Sequence, residues 1–375
     1  MLTLIDGNSL VFRAYYGVHA NLTRSDGMPV GAVYGFFNMI LPILASAKEN
    51  DSFVCVFDAS RISFRQSIYP QYKANRSETP ADLLIQSELI RIGAHAMGMP
   101  VLCIPGVEAD DVIATIATNN CDKFGKTRII TGDKDLMQLV SDCVFLYDGM
   151  KQREIHEPQV FEKFGVKPNQ VIDVQSLMGD SSDNVPGVPG IGPKKAAELI
   201  SEFGTLDNLY ANLESVKNER TRNLLRDNHD GAYISKQLVT LKRDVDLSGL
   251  KIQPFCFDKS SALSFVKEKI ESKSLTEKIN KLFADKTNAC TPSINEYAKS
   301  VCPVVDIPHI SQKQSDLPEM NIVTISNESE LDDFLSHIAN VIAFDTETTG
   351  LNQITDKIVG ISLAYDDAHG AYIPI

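Results

Sequence analysis

The hydrophobic positions of the chain fall into two regimes. In the first, short continuous apolar runs alternate with longer stretches of helical period. LTLID (2–6), FVCVFD (53–58), VLCIP (101–105) and TRIIT (127–131) read as strands. A strand covered on both faces shows a continuous apolar run rather than alternation. Residues 29–48 follow the turn RSDGMP, and residues 81–98 stop at Gly98 and Pro100. Both, like ADDVIATIATNN (109–120), carry apolar positions at helical spacing. Strands alternating with helices predict an α/β core with a mostly parallel central sheet flanked by helices.

After about residue 158 the strand-like runs give way to helical ones. VIDVQSLMG, KKAAELISEF and ERTRNLLRD predict short helices joined by Gly/Pro turns, the densest being VPGVPGIGP. Residues 260–284 predict one or two lysine-rich helices. Residues 286–320, with several Pro, Ser and Asn and weak periodicity, read as a linker. From 321 a new α/β pattern starts: strand NIVTI, helix ESELDDFLSHIA, then strands around 341–346, 357–365 and 370–375. The expected organisation is an α/β core over 1–165 with a basic arch at about 61–95. An all-helical subdomain over 166–285, the linker, and a second, incomplete α/β unit over 321–375 follow. That last unit is expected to be marginally stable, with an uncovered sheet edge.

Composition adds limits. The 375 residues suffice for two or three domains, and 43% hydrophobic with 23% charged residues is ordinary for a globular chain. No apolar run reaches the roughly 18–20 residues of a membrane span. MLTLIDGNSL lacks the features of a signal peptide, so a cytoplasmic protein is expected. Seven scattered cysteines without a CxxC pair predict reduced thiols, not disulfides or a zinc site. The net charge of −13 weighs against nucleic acid as a partner. Carboxylates gathered around metal ions also count as negative in a formal sum, however, so their placement decides.

The acids fall at strand ends. Asp6 ends LTLID and Asp58 ends FVCVFD; Glu108, Asp110 and Asp111 follow VLCIP in VEADD; Asp133 and Asp135 follow TRIIT in TGDKD. Asp180 and Asp183 lie in MGDSSDN. One such Asp is commonly a helix cap or turn residue. Four strand ends in succession point instead to a site, since open α/β sheets bind ligands beyond the carboxyl ends of their strands. Crowded carboxylates resist ionising without cations. All-oxygen ligation suits Mg2+ or Mn2+ rather than zinc, and two such metals serve in-line displacement at phosphorus. In VEADD, helical spacing puts Glu108 and Asp111 on one face and Asp110 off it. Glu108 is therefore expected in the turn before the helix, and spacing does not choose between Asp110 and Asp111 as direct ligand.

Residues 61–76, RISFRQSIYPQYKANR, hold Arg61, Arg65, Lys73 and Arg76 and no acid, with Phe64, Tyr69 and Tyr72 interleaved. Cations for phosphates and aromatic faces for bases suit a single strand; a solvated loop is the plain alternative. The stretch follows Asp58 directly, where Lys73 and Arg76 could polarise a scissile phosphate. In GVPGIGPKKAAELI (187–200), Gly190 and Gly192 open a helix with Lys194 and Lys195 in its first turn. Such a turn offers backbone N–H groups to phosphate. A helix rather than a strand precedes it, which argues against a dinucleotide fold and for a helix–hairpin–helix grip on a duplex backbone.

LIDGNSLVFRAYYG, VFDASRISFRQSIYPQYKANR, PGVEADDVIATIA, ITGDKDLMQLV and LMGDSSDNVPGVPGIGPKKAAELI together resemble the 5′-nuclease domains of bacterial DNA polymerase I, in the flap-endonuclease superfamily. The resemblance covers roughly residues 1–285. It implies a PIN-like core in which Asp6, Asp58, Glu108 and Asp110 hold one Mg2+ or Mn2+. Asp133, Asp135 and Asp183 would hold a second, with Asp111 and Asp180 as supporting acids. It further implies Lys73 and Arg76 as the basic pair of the arch, Tyr72 stacking on a base, and K+ at the helix–hairpin–helix. The implied reaction is hydrolysis of phosphodiesters near a 5′ end or at the base of a 5′ flap, used in primer removal and DNA repair. The implied partner is DNA with a 5′ flap, nick or RNA primer, bound by a monomer. Residues 321–375 resemble the start of an RNase H-like 3′→5′ exonuclease domain, with Asp345 and Glu347 of FDTETTGL matching its first acidic motif. The later acidic motifs and the polymerase module are missing, so the chain is expected to be a fragment with no proofreading or polymerase activity. A PIN-like ribonuclease and a non-catalytic DNA-binding protein are the alternatives; the ordered acids with the basic arch favour the nuclease.

Overall fold

The structure, a computed structural model, describes residues 1–17, 21–284, 321–338, 342–348, 357–365 and 369–375. The expected linker, 286–320, lies outside the described residues. The chain divides into two compact units, residues 1–306 and 307–375.

The first unit is built on a six-stranded sheet of order β3-β2-β1-β4-β5-β6. Its strands are β1 (Leu2–Asp6), β2 (Ser52–Val56), β3 (Val101–Leu102), β4 (Thr127–Ile130), β5 (Val144–Asp148) and β6 (Arg153–Ile155). The first five run parallel and β6 returns antiparallel on β5. Every residue of β1 and β2 is buried, as their unbroken apolar runs require of strands covered on both faces. Leu2, Leu4, Val54, Val56 and Ile129 of one sheet face share a continuous core with helix Ala109–Asn119 and with the helical subdomain. Helices Gly7–Tyr15, Gly31–Ala45 and Ala81–Ala96 pack together. From the stretch expected to form the arch, Ser63, Tyr72 and Lys73 reach Glu108 just beyond β3. Helix Ala81–Ala96 is a core helix that buries Leu83, Leu89 and Ile90.

β1 is the topological switch point, with β2 on one side and β4 on the other. Open α/β sheets bind ligands beyond the carboxyl ends of the strands at such a switch point. Asp6 closes β1 there.

The helical subdomain follows. Helix Val171–Met178 turns at Gly179 and reaches helix Pro193–Phe203 through the Gly/Pro segment, while helix His229–Val239 packs on the first. The backbones of Gly179 and Gly187 approach so closely that a Cβ on Gly187 would lie 2.4 Å from the Gly179 nitrogen, and both have positive φ. Only glycine fits there.

The sequence pattern missed β5 and β6, because VFLYD is a five-residue run with no helical stretch after it. The expectation of reduced thiols is corrected at Cys121 and Cys143, which form a disulfide. Thr127 of β4 pairs with Val144 of β5, so the residues leading into these two strands meet. That proximity comes from sheet register, which cysteine spacing does not encode. Cys103 and Cys256 are disulfide-bonded as well, while Cys55 is a buried free thiol.

The second unit has a four-stranded sheet of order β7-β10-β9-β8. Its strands are β7 (Asn321–Thr324), β8 (Ala343–Thr348), β9 (Ile358–Ala364) and β10 (His369–Pro374). Helix Glu328–Ser336 follows β7 and buries Phe334 with Ile325 and Ala371. β8 is an edge strand, and its Phe344 is 67% exposed.

Candidate active site

Asp6 caps the helix that leaves β1, its Oδ1 accepting from the Ser9 N–H at 3.0 Å. Its Oδ2 accepts from Thr131 Oγ1 at 2.6 Å, which ties the ends of β1 and β4 together. Asp58 lies two residues beyond β2. Its Oδ1 accepts from the Ala109 N–H at 2.7 Å, and Asn8 Nδ2 donates to its Oδ2. Glu108 stands at the N-cap of helix Ala109–Asn119 in extended conformation, in the turn before the helix as its spacing predicts. Asp133 follows β4 and accepts from the Asp135 N–H at 2.8 Å, while Asp135 accepts from Gln175 Nε2 at 2.5 Å.

These acids feel one another. Burial above all, aided by Asp133 and Asp58 and opposed by its hydrogen-bond donors, pushes Asp6 up to about 7. Burial and then the charge of Asp133 do the same to Asp135, also to about 7. Asp110 is raised well above the ordinary carboxylate range, first by burial and then by Asp133 and Asp6. Asp58 and Asp133 are raised by burial too. The five carboxylates thus share one crowded, water-poor region. Among the described residues no three His, Cys, Asp or Glu groups converge into a ready-made metal cage.

The neighbouring cations are already engaged. Lys73 Nζ stands 2.8 Å from Glu108 Oε2 and 3.6 Å from Asp183 Oδ2, and Arg76 also pairs with Asp183. Burial alone would lower the Lys73 pKa, but Tyr72, Glu108 and Asp183 outweigh it and raise it. Lys134, between the two acids of TGDKD, lies 2.6 Å from Asp180 Oδ2. Although burial works the other way, this ammonium and the Ser182 donors hold the Asp180 carboxyl below its usual range.

Two residues fall elsewhere than the sequence placed them. Arg65, expected to contact DNA, is 1% exposed and grips Asp111 with both terminal guanidinium nitrogens, at 2.7 and 2.8 Å. Asp111 also accepts from the N–H groups of Glu108 and Lys242. Its lone pairs are committed to the protein, whereas no donor from the described residues bonds the Asp110 carboxylate. Between Asp110 and Asp111, the first faces the acid cluster and the second turns inward, as a 100° helical step dictates. Tyr72, expected to stack on a base, is buried, and its hydroxyl donates to Glu108 Oε2 at 3.2 Å. A run of cations and aromatics reads the same from sequence whether its members face solvent or core. Phe64 is half-buried beside Arg65, while Arg61 is exposed and donates to Ser77 O and Thr79 Oγ1.

Sequence reasoning missed Asn8, Ser63, Thr131, Lys134 and Gln175, which bind these carboxylates from outside. Lys134 was visible, being flanked by both acids of its motif. Gln175 was not, since only the packing of its helix brings it to Asp135.

At the hairpin, Gly190 and Gly192 are exposed, and Gly192 is the N-cap of the helix carrying Lys194 and Lys195. Lys194 is exposed, and Lys195 pairs with Glu198 at 3.1 Å. In the second unit Asp345 and Glu347 are exposed on β8, opposite Ser362 and Gly360 of β9.

Comparison with known proteins agrees with this architecture. Residues 1–165 match the family "5'-3' exonuclease, N-terminal resolvase-like domain", and residues 166–259 match "5'-3' exonuclease, C-terminal SAM fold". Residues 322–375 match the family "3'-5' exonuclease". DNA polymerase I of Rhizobium leguminosarum is 34% identical over all of this chain and 43% of its own length. That of Pseudomonas aeruginosa is 35% identical over all of this chain and 40% of its own. The chain therefore spans about two fifths of the length of these relatives. Among solved structures, zinc-bound T5 5'-exonuclease has a TM-score of 0.54 at 24% identity, covering 75% of this chain and 97% of that one. The catalytic core of Rad2 with DNA substrate has a TM-score of 0.52 at 18% identity, covering 76% and 91%. These structural likenesses establish the fold. With exonuclease models running unbroken from residue 1 to 259 and relatives matched along its whole length, the chain belongs to the 5'-3' exonuclease family, in the form found at the N-terminal part of DNA polymerase I.

Proposed function

We propose that this chain is a metal-dependent 5′→3′ exonuclease and 5′-flap endonuclease acting on DNA, with Asp6, Asp58, Glu108, Asp110, Asp133, Asp135 and Asp183 as its metal-binding acids. One observation carries the reading: acids from successive strand ends and from the 180–183 turn lie in one field, with Lys73 and Arg76 over it. The donors fit a hard cation, since all are carboxylate oxygens and their crowding is relieved by positive charge. Bound there, Mg2+ or Mn2+ would generate a hydroxide nucleophile and steady the leaving oxygen. The chain's own residues do the rest. Thr131 and Ser9 fix Asp6, Asn8 and the Ala109 N–H fix Asp58, and Gln175 fixes Asp135. Lys73 and Arg76 exchange their carboxylate partners for the scissile phosphate and stabilise charge gained there. Gly190, Gly192, Lys194 and Lys195 grip the duplex backbone, with K+ at the hairpin turn. Asp180, held by Lys134 and Ser182, shapes the turn that presents Asp183.

The natural setting we infer is removal of RNA primers and 5′ flaps by a monomer in the bacterial cytoplasm. Asp6→Ala and Asp133→Ala, assayed on a labelled 5′-flap duplex with Mg2+, are expected to abolish cleavage. Undiminished cleavage by both overturns the assignment. A preference for an RNA hairpin over the flap would favour a ribonuclease instead.

A further inference from the structure

The arch base and the turn carrying Asp180 and Asp183 lie side by side, and two asparagines cross between them in opposite directions. Asn75 Nδ2 donates to the Ser181 carbonyl at 2.7 Å, and Asn184 Nδ2 donates to the Gln71 carbonyl at 2.7 Å. Between them the Lys73 N–H donates to the Asp183 carbonyl at 2.9 Å. Beneath, Tyr72 and Val185 meet in a small apolar cluster with Leu238 and Val239.

The backbone on each side of this joint is unusual. Lys73 has φ 58° and Asn184 has φ 55°. Asparagine tolerates the left-handed region, but lysine seldom adopts it. Such conformations persist where their surroundings over-determine them, and they cluster at functional sites. Here the left-handed turn at Lys73 sends its N–H to Asp183 and its ammonium to Glu108.

Resting on the nuclease reading above, we propose that Asn75 and Asn184 are positioning residues, a reciprocal amide clip that fixes Lys73 and Arg76 in register with the 180–183 turn. The arch cations and the acids of that turn then form one rigid piece. Neither asparagine touches the reacting phosphate; each acts through the segment it holds. Loosening the clip lets the cations drift from the position a phosphate needs, and a displacement of about 1 Å can cost on the order of 100-fold in rate.

The test compares the full chain with Asn75→Ala, Asn184→Gly and the double variant. Glycine keeps the left-handed backbone at 184 while removing the amide. Three quantities are measured: single-turnover cleavage of a labelled 5′-flap duplex with Mg2+, flap affinity without divalent metal, and thermal midpoint. Limited trypsin digestion after Lys73 and Arg76 reads the joint without catalysis. Each single variant is expected to cleave about tenfold more slowly and to be cut faster by trypsin, with affinity and midpoint near wild type. The double variant is expected to be little slower than either single one, because both amides serve one joint. A wild type that cleaves alongside variants matching it in rate and trypsin sensitivity overturns the clip. So does a rate loss that merely tracks a fallen midpoint. An inactive wild type whose variants still show the trypsin difference overturns the nuclease reading instead.

Discussion

Arg65 and Asp111 form a two-pronged ion pair in the interior of the α/β core, with Nη1–Oδ2 at 2.7 Å and Nη2–Oδ1 at 2.8 Å. Arg65 Nε also donates to the Leu238 carbonyl and Nη2 to the Thr240 carbonyl. Asp111 meanwhile caps the Glu108 N–H. The pair thus joins the arch, the acid-bearing helix and the helical subdomain. Breaking one side of a buried, fully bonded pair typically costs 3–5 kcal/mol, since the other charge is left uncompensated. Arg65→Met and Asp111→Ala are therefore each expected to lower unfolding free energy by about that amount. Equilibrium urea unfolding checks this. A variant that keeps wild-type stability but loses DNA affinity would return Arg65 to the DNA-contacting set.

That pair also shows how far the sequence could be read. Strand ends and their acids were legible, because buried parallel strands leave continuous apolar runs and an Asp after each run stands out. The place of Glu108 in the turn before its helix followed from helical spacing alone. The direction of Arg65 and Tyr72 was not legible, since nothing in a loop's residue types says which of its cations face the core. Cys121 and Cys143 escaped for the same kind of reason: their meeting depends on the register of β4 with β5.

Lys73 and Arg76 stand over the acids, Lys73 paired with Glu108 and Arg76 52% exposed beside Asp183. Lys73→Ala and Arg76→Ala are expected to cut the single-turnover rate on a 5′-flap duplex by about 100- to 1,000-fold, the usual cost of a lost charge stabiliser. Flap affinity is expected to change far less. Rates within threefold of wild type for both would remove them from the chemistry.

The raised acids make the stability of the metal-free protein depend on pH. Asp6 and Asp135 rise from an ordinary 3.8 to about 7 on folding. The native state therefore holds protons that the unfolded state has released, and stability falls as pH rises between about 4 and 7. On the metal-dependent reading proposed above, Mg2+ would bind the ionised acids and add stability that grows over the same range. Thermal midpoints across this window are expected to decline without metal and to flatten or reverse with excess Mg2+. Identical slopes in both series would separate these acids from any metal.

The Cys121–Cys143 bridge spans a sequence separation of 22. A loop of that length is worth about 3 kcal/mol through the entropy it removes from the unfolded chain. Reductant is expected to lower the urea midpoint of the wild type, and Cys121→Ser with Cys143→Ser is expected to remove part of that response. Stability indifferent to reductant would show that these thiols are not bridged in solution.

Asp345 and Glu347 sit on β8 in the arrangement that first suggests a metal site, an acid pair at the end of an apolar run. Their surroundings argue otherwise. Both are exposed on an edge strand, and their neighbours across the ladder are Ser362 and Gly360, neither of which supplies a charge. The Asp345 carboxylate accepts only its neighbour's N–H, from Thr346 at 2.8 Å, among the described residues. Two carboxylates in open water bind a divalent ion weakly, since nothing there offsets its dehydration. This chain is therefore expected to leave a 3′-labelled duplex intact under conditions where it cleaves the 5′ flap. Asp345→Ala is expected to change neither flap cleavage nor stability beyond about 0.5 kcal/mol, as for most exposed positions. Steady loss of the 3′ label, abolished by that substitution, would make β8 an active site in its own right.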